Sequence, residues 1–478
     1  MNSEKNLSKA AEKDLKSRDE NPLATQDISR LLKRFAIPSV IAMLVTALYN
    51  VVDQIFIGQG VGVLGNAATN VAFPVVTVTI AISLLIGIGS ASNFNLAMGR
   101  GDKKTAAKYV GNAIVYMAIF GVTLVAIVLT FLEPLLLLFG TTEQVMPYAK
   151  TYLGITVFGL LFAIFITAGC NLIRADGSPK QSMLIMLTGA ITNMVLDPIF
   201  ISIWGIAGAA WATVIGQFIS FVLVVSYLRN YKSVVLHKEC FVPDFSYFKN
   251  ICKLGGAAFF NQVALTFVQI VMNNTLRHYG ALSPYGAEIP LASIGIITKI
   301  NMLIFATSIG IAQGSQPIIG FNYGAKNYDR VKQAIRLAIL YATIISTTGF
   351  LCFQFFPRQI LSIFGKGSEE YFYFATRALR IFLFMTFINS IQPIVATFFT
   401  SIGKAGKGLL MSLTRQVIFL IPLILFLPTQ FGIEGVVYSG PIADAAAAVV
   451  AIVFLVNEIR HINHTILQES KEEPIPVA

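Results

Sequence analysis

Apolar residues run through this chain in long unbroken stretches, separated by short polar ones. A membrane-spanning helix needs about 20 consecutive, mostly apolar residues. Twelve stretches meet that need: 35–57, 68–97, 108–132, 148–173, 182–204, 207–228, 251–276, 288–315, 333–356, 373–401, 409–428 and 434–457. The runs are continuous rather than alternating, which predicts helices and excludes a β-barrel. No segment between them could form a soluble domain. The pattern predicts an all-α polytopic membrane protein with twelve transmembrane helices.

The second half repeats the first. Shifted by about 225 residues, the chain partly overlays itself. "MGRGDKKTAAKYV" (98–110) meets "YGAKNYDRVKQAI" (323–335), and "IRADGSPKQSMLIML" (173–187) meets "TSIGKAGKGLLMSLT" (400–414). "GIAGAAWATVIGQFISFVL" (205–223) meets "GIEGVVYSGPIADAAAAVV" (432–450). Each match is weak alone, and the shared offset is the stronger sign. Six spans followed by six in the same orientation predict two pseudo-symmetric six-helix bundles, related by an axis along the membrane normal. The expected divisions are a tail with an interfacial helix at 1–34, a first bundle at 35–228, a linker at 229–250, a second bundle at 251–457 and a tail at 458–478. Residues 1–22 carry no apolar core of a signal peptide. "DISRLLKRF" after them places apolar residues among basic ones, and it is expected to lie on the membrane surface.

Composition agrees. The 478 residues are 55% hydrophobic and 12% charged, against about 25% charged in a soluble domain. The net charge of +11 would raise nucleic acid as a partner in a soluble protein. Here the basic residues fall in the connecting segments, so no nucleic acid is expected. Lys and Arg crowd one set of connections (Arg100, Lys103, Lys104, Lys108, Arg174, Lys180, Arg229, Lys232, Lys326, Arg330, Lys404 and Lys407 among them), while the other set is poor in both. The positive-inside rule then predicts both termini in the cytoplasm. Cys170, Cys240, Cys252 and Cys352 have no metal or disulfide spacing and read as small buried hydrophobes.

Two facing bundles with a cleft between them are the architecture of a secondary transporter. An ATP-driven pump would need a Walker A loop, and none is present. A membrane-embedded enzyme lacks a motif, since His237, His278, His461 and His464 lie near span ends or in loops. No cofactor is expected, and nothing signals an obligate oligomer, so a monomer is expected.

Ionisable residues inside the apolar runs are the candidate chemistry. Asp53 lies in "LYNVVDQIFIGQG" of span 1 and Asp197 in "NMVLDPIFI" of span 5. Asn193 and Asp197 are four residues apart and share a helix face. Thr213 opens span 6. Together these four offer oxygen ligands for a hard monovalent cation such as Na+, or a coupled carboxylate pair for a proton. Asp53 could instead reach the interface, and Asp197 could satisfy backbone freed by Pro198. Pro38 reads either as a hinge in span 1 or as the start of its helix, with the second favoured. Asn50 is placed with the cavity or hinge. The second bundle has no acid in spans 7 and 10. Arg415 of span 11 is expected to pair structurally with Asp444 of span 12, and Lys299 of span 8, without an obvious partner, to face the cleft. Phe73, Phe259, Phe260, Met272, Met302 and Phe305 read mainly as core, with a few lining an adaptable cleft.

"VVDQIFIGQ", "IRADGSPK", "NMVLDPIFI" and "GIAGAAWAT", set in twelve spans and a six-plus-six repeat, resemble the multidrug and toxic compound extrusion (MATE) family. The resemblance runs from about residue 26 to 460, and the span 5 motif is similar to that of the DinF-type and MepA-type branches. It implies antiport in a bacterial cell (inner) membrane: H+ or Na+ enters while bulky amphipathic, often cationic, drugs and dyes leave. It implies coupling roles for Asp53, Asn193, Asp197 and Thr213, a bending proline at Pro38 and a cavity tyrosine at Tyr152. One branch of the family uses acids in spans 7 and 10, which this sequence lacks. The alternative is a flippase for a lipid-linked oligosaccharide or other lipid, though polyanionic head groups would favour a cleft richer in Arg and Lys.

Overall fold

The computed structural model describes residues 21–286, 288–363 and 368–472. Backbone groups inside a bilayer must be satisfied within the segment, and the long apolar runs form helices for that reason. Span 1 is Ile28–Gly60, span 2 Val63–Gly99, span 3 Lys103–Thr130, span 4 Met146–Ala175, span 5 Pro179–Trp204 and span 6 Ile206–Arg229. In the second half, span 7 is Phe245–Ala281, span 8 Glu288–Gly324, span 9 Tyr328–Phe355, span 11 Ala405–Phe431 and span 12 Ile433–Glu472. Span 10 is bent, with Glu369–Phe382 and Thr386–Ser401 meeting at 43°. Side-chain caps fix several starts: Asp27 accepts from the Arg30 amide, Asp102 from Thr105 and Asp244 from Ser246, all within 2.9 Å.

The repeat is visible in the backbone. Left-handed residues occur in pairs between the halves: Gly62 with Gly286, Gly101 with Lys326, Gly177 with Gly403, and Gly205 with Gly432. Lys326 is the one non-glycine among these, at φ 60° where the first half has glycine. Short helices at Leu132–Leu138 and Pro357–Ile363 likewise follow spans 3 and 9. Two six-helix bundles result, and spans 1 and 2 of the first meet spans 7 and 8 of the second.

That meeting is tight toward the end where span 1 begins, span 12 ends and the linker lies, here the basic end. A Cβ on Gly255 would lie 1.8 Å from the Leu85 carbonyl oxygen, and one on Gly89 2.1 Å from that of Ile251. A Cβ on Gly310 or Gly314 of span 8 would lie 2.6 Å from the Cα of Val40 or Ala36 of span 1. Gly99 and Gly324 meet the Phe321 and Leu96 carbonyls. Backbones in contact leave no passage there, so the molecule is closed at its basic end.

A second attachment reinforces this closure. The short helix Pro22–Thr25, ahead of span 1, is held by the second bundle. Arg330 donates to the carbonyls of Leu23 at 3.1 Å and Gln26 at 2.6 Å, and Asn322 donates to Leu23 at 3.0 Å. Ser29 and Tyr341 are joined by hydroxyls 2.8 Å apart. The Pro22–Thr25 helix ends where its carbonyls lack intrahelical partners, and the guanidinium supplies donors.

Some expectations need correction. "DISRLLKRF" is not a separate surface helix, because the helix runs unbroken from Ile28 through the span. Pro38 therefore lies inside span 1 and does not start it. Span 12 continues as helix to Glu472, past the expected start of the C-terminal tail. Cys352 is exposed and Cys252 half-buried, although Cys170 and Cys240 are buried. Met272 is core, whereas Phe73, Phe260 and Met302 are about half exposed.

Candidate functional site

The repeat offset places spans 1 and 5 in one bundle, and their packing brings two acids together. Asp197 is completely buried and Asn193 nearly so. Their four-residue spacing on one helix turns the Asn193 amide toward the Asp197 carboxyl, at 3.2 Å. The same Nδ2 reaches Oγ1 of Thr213, also at 3.2 Å. Asp53 comes from span 1 and its carboxyl lies within hydrogen-bonding reach of that of Asp197. All four residues expected to act together are in one cluster.

Three oxygens of this cluster lack a hydrogen-bond partner: Oδ1 of Asp53, Oδ2 of Asp197 and Oδ1 of Asn193. Buried polar atoms are rarely left so. Two carboxylates facing each other repel, and their contact is favourable only with a proton or a cation between them. The donor set fits either one. It is all oxygen apart from one amide NH2, as a small hard cation requires.

Sequence reasoning missed Tyr49. Its hydroxyl lies beside Thr213, Asp53 and Asp197. The signal was available, since Tyr49 precedes Asp53 by four residues on the same helix face. Tyr152 approaches the cluster from span 4, next to Asp53 and Tyr49. Asn50 is exposed and donates to the Thr46 carbonyl of its own helix, so it lies outside the cluster. Pro38 lies about four helical turns before Asp53.

In the second bundle, Nε of Arg415 donates to Oδ1 of Asp444 at 2.5 Å, with both side chains under 10% exposed. Arg415 belongs to a π-helical turn, Thr414–Leu420, inside span 11. Lys299 is exposed. Outside the membrane, the linker is tied to the first bundle by Asp176, which accepts from the Tyr227 hydroxyl and the Lys232 and Ser233 amides at 2.7–2.9 Å. Burial raises the Asp176 carboxyl above the usual range, and these donors partly offset that.

Residues 38–199 and 257–457 match the family profile described as MatE. The chain belongs to the MATE family. It is thus a transporter of the multidrug efflux family in its MepA/DinF-like branch, and not an enzyme. Multidrug export protein MepA of Staphylococcus aureus (strain MSSA476) is 24% identical over 437 residues, covering 90% of this chain and 94% of MepA. Probable multidrug resistance protein YoeA of Bacillus subtilis (strain 168) is 28% identical over 397 residues, covering 79% and 83%. Among solved structures, MATE in complex with MaD3S superposes with a TM-score of 0.86 at 24% identity, over 93% of this chain and 98% of that one. An outward-facing multidrug resistance MATE transporter does so with 0.86 at 24%, over 92% and 98%. These MATE structures share the fold of this chain.

Proposed function

We propose that this MATE protein is a secondary antiporter, with H+ or Na+ entering through the first bundle as bulky amphipathic compounds leave. The observation that carries this reading is the pair of facing carboxyls, Asp53 and Asp197, with three unpartnered oxygens around them. Such a site holds one positive charge far better than none, so its occupancy is sensitive to a cation gradient. The basic end faces the cytoplasm, following the Lys and Arg bias, in the cell membrane of a bacterium. The conformation described above is then closed to the cytoplasm. Alternating access follows if the glycine-lined contact at that end opens while the far half closes.

The proposed steps use this chain's own groups. Cation or proton binding removes the repulsion between the two carboxyls and draws spans 1 and 5 together. Asn193 and Tyr49 orient Thr213 and Asp197 around the bound charge. Release of that charge restores the repulsion and favours the other state. A flippase reading is less well supported, because the mid-membrane cleft offers one lysine to a pyrophosphate-bearing lipid.

The test is dye efflux in proteoliposomes with Na+ and pH gradients imposed independently. One of the two gradients should drive efflux in the wild type, and neither should in Asp53→Asn. Efflux that persists in Asp53→Asn and Asp197→Asn at the wild-type rate would reject the coupling site.

A further inference from the structure

Span 8 meets span 1 through Gly310 and Gly314, which touch Val40 and Ala36. That contact fixes which face of span 8 looks toward the first bundle. Lys299 precedes Gly310 by eleven residues, about three helical turns, so it lies on that same face. It sits above the closed region, at a depth where the bundles no longer touch through glycine, and its side chain is exposed. Lys299 thus projects into the cleft.

Span 7 supplies the wall beside it. Gly255 fixes its facing side by contact with Leu85. Gln262, Thr266, Gln269 and Asn273 fall on that side at helical spacing. Gln269 and Asn273 are exposed and bonded to each other at 3.2 Å. Gln269 lies twelve residues from the far end of span 7, and Lys299 eleven from that of span 8, so the two share a depth. Ala264, Val268 and Met272, on the opposite side of span 7, are buried in the second bundle.

Spans 1, 2, 7 and 8 line the cleft. Away from their interfacial turns they carry two formal charges, Asp53 and Lys299. Asp53 is turned into the first bundle, toward Asp197. The cleft itself therefore presents an ammonium and neutral amides, and no carboxylate, among the described residues. No ion pair is formed by Lys299 among them either. An unpaired charge at mid-membrane depth is costly, and such residues are by default candidates for function.

We infer that Lys299 is a specificity-determining residue, and that the cleft selects amphipathic compounds bearing a carboxylate or another single anionic group. The apolar body of such a compound rests against side chains beside Lys299 such as Met302, about half exposed, and its anionic group pairs with Lys299 while the amides of span 7 donate to it. This reading narrows the cargo of the antiporter proposed above, and departs from the expectation of mainly cationic drugs. It rests on that proposal only in taking the cleft as the substrate's path.

The experiment measures equilibrium binding by fluorescence anisotropy on the purified full chain in detergent, without any gradient. The probes are a matched pair of xanthene dyes, one with a free carboxylate and the other its ethyl ester. The ratio of the two Kd values cancels differences in partition between variants. In Lys299→Gln the ratio should move about tenfold against the carboxylate, the scale of one charge-assisted contact. Lys299→Arg should keep the wild-type ratio and so excludes a fold defect. An unchanged ratio in Lys299→Gln, or no carboxylate binding by the wild type, overturns the inference. Gradient-driven efflux is measured separately. Loss of coupled transport with the dye preference intact would defeat the antiport proposal and leave the role of Lys299 standing.

Discussion

The carboxyls of Asp53 and Asp197 face each other inside the first bundle, although 144 residues of chain separate them. Among the described residues, neither has an arginine or lysine to balance it. The second bundle solves its own buried acid differently, pairing Asp444 with Arg415. One acid pair faces itself and the other acid is paired with a base; on the proposed mechanism the first is the coupling site and the second a structural one.

Removing one charge from the facing pair should relieve repulsion. Asp53→Asn is expected to abolish gradient-driven efflux while leaving the thermal midpoint unchanged or raised. Thermal unfolding of the purified protein, run beside the transport assay, checks this. A large fall in midpoint would mean that Asp53 serves chiefly to hold the bundle together.

Arg415→Leu should behave oppositely. It strands Asp444 in the second bundle and should cost about 3–5 kcal/mol, whereas Arg415→Met with Asp444→Leu should be close to neutral. Unfolding measurements on the singles and the double give the comparison. If the stable double also loses transport, the pair does more than hold spans 11 and 12 together.

Gly255→Ala places a methyl 1.8 Å from the Leu85 oxygen, so the bundles must part at the basic end. Cys252, one turn away and half-buried, reports on this. Its labelling by a thiol reagent should quicken, and a bias of about 1.4 kcal/mol suffices for tenfold. Cys352→Ser removes the exposed background thiol. Labelling at the wild-type rate would show that the contact tolerates the extra carbon.

Arg330→Gln should free the segment before span 1. Hydrogen bonds from a charged donor contribute about 1.5–3 kcal/mol each, so amides of residues 23–28 should lose protection in hydrogen exchange by roughly tenfold or more. Protection unchanged in the variant would mean that Asn322 and Tyr341 hold the segment unaided.

The spans, the repeat and the family were legible because bilayer thickness and apolar composition leave few alternatives. The grouping of Asp53, Asn193, Asp197 and Thr213 was legible from helical spacing and matching depth. Tyr49 was passed over because tyrosine is ordinary in a membrane helix, although its four-residue spacing from Asp53 places it on the same helix face. The tether of Arg330 to Leu23 and Gln26 could not be read at all, since backbone carbonyls leave no mark in composition. The glycine contacts were equally hidden, because a glycine in a helix does not announce which neighbour approaches it. Pro38 was misplaced because the basic residues before it suggested a surface segment, where the structure continues a single helix.

Span 1 has a divided allegiance. Its first turns are fastened to the second bundle through Arg330, Tyr341 and the Gly310 and Gly314 contacts, while its far half carries Asp53 in the first. Pro38 lies between the two attachments, and it lacks the amide that would brace the helix there. Mechanically the helix is a lever with its weak section at the fulcrum. If the bundles tilt apart at the basic end, it must either let go of Arg330 or flex near Pro38, and both movements pull on the rod that holds Asp53.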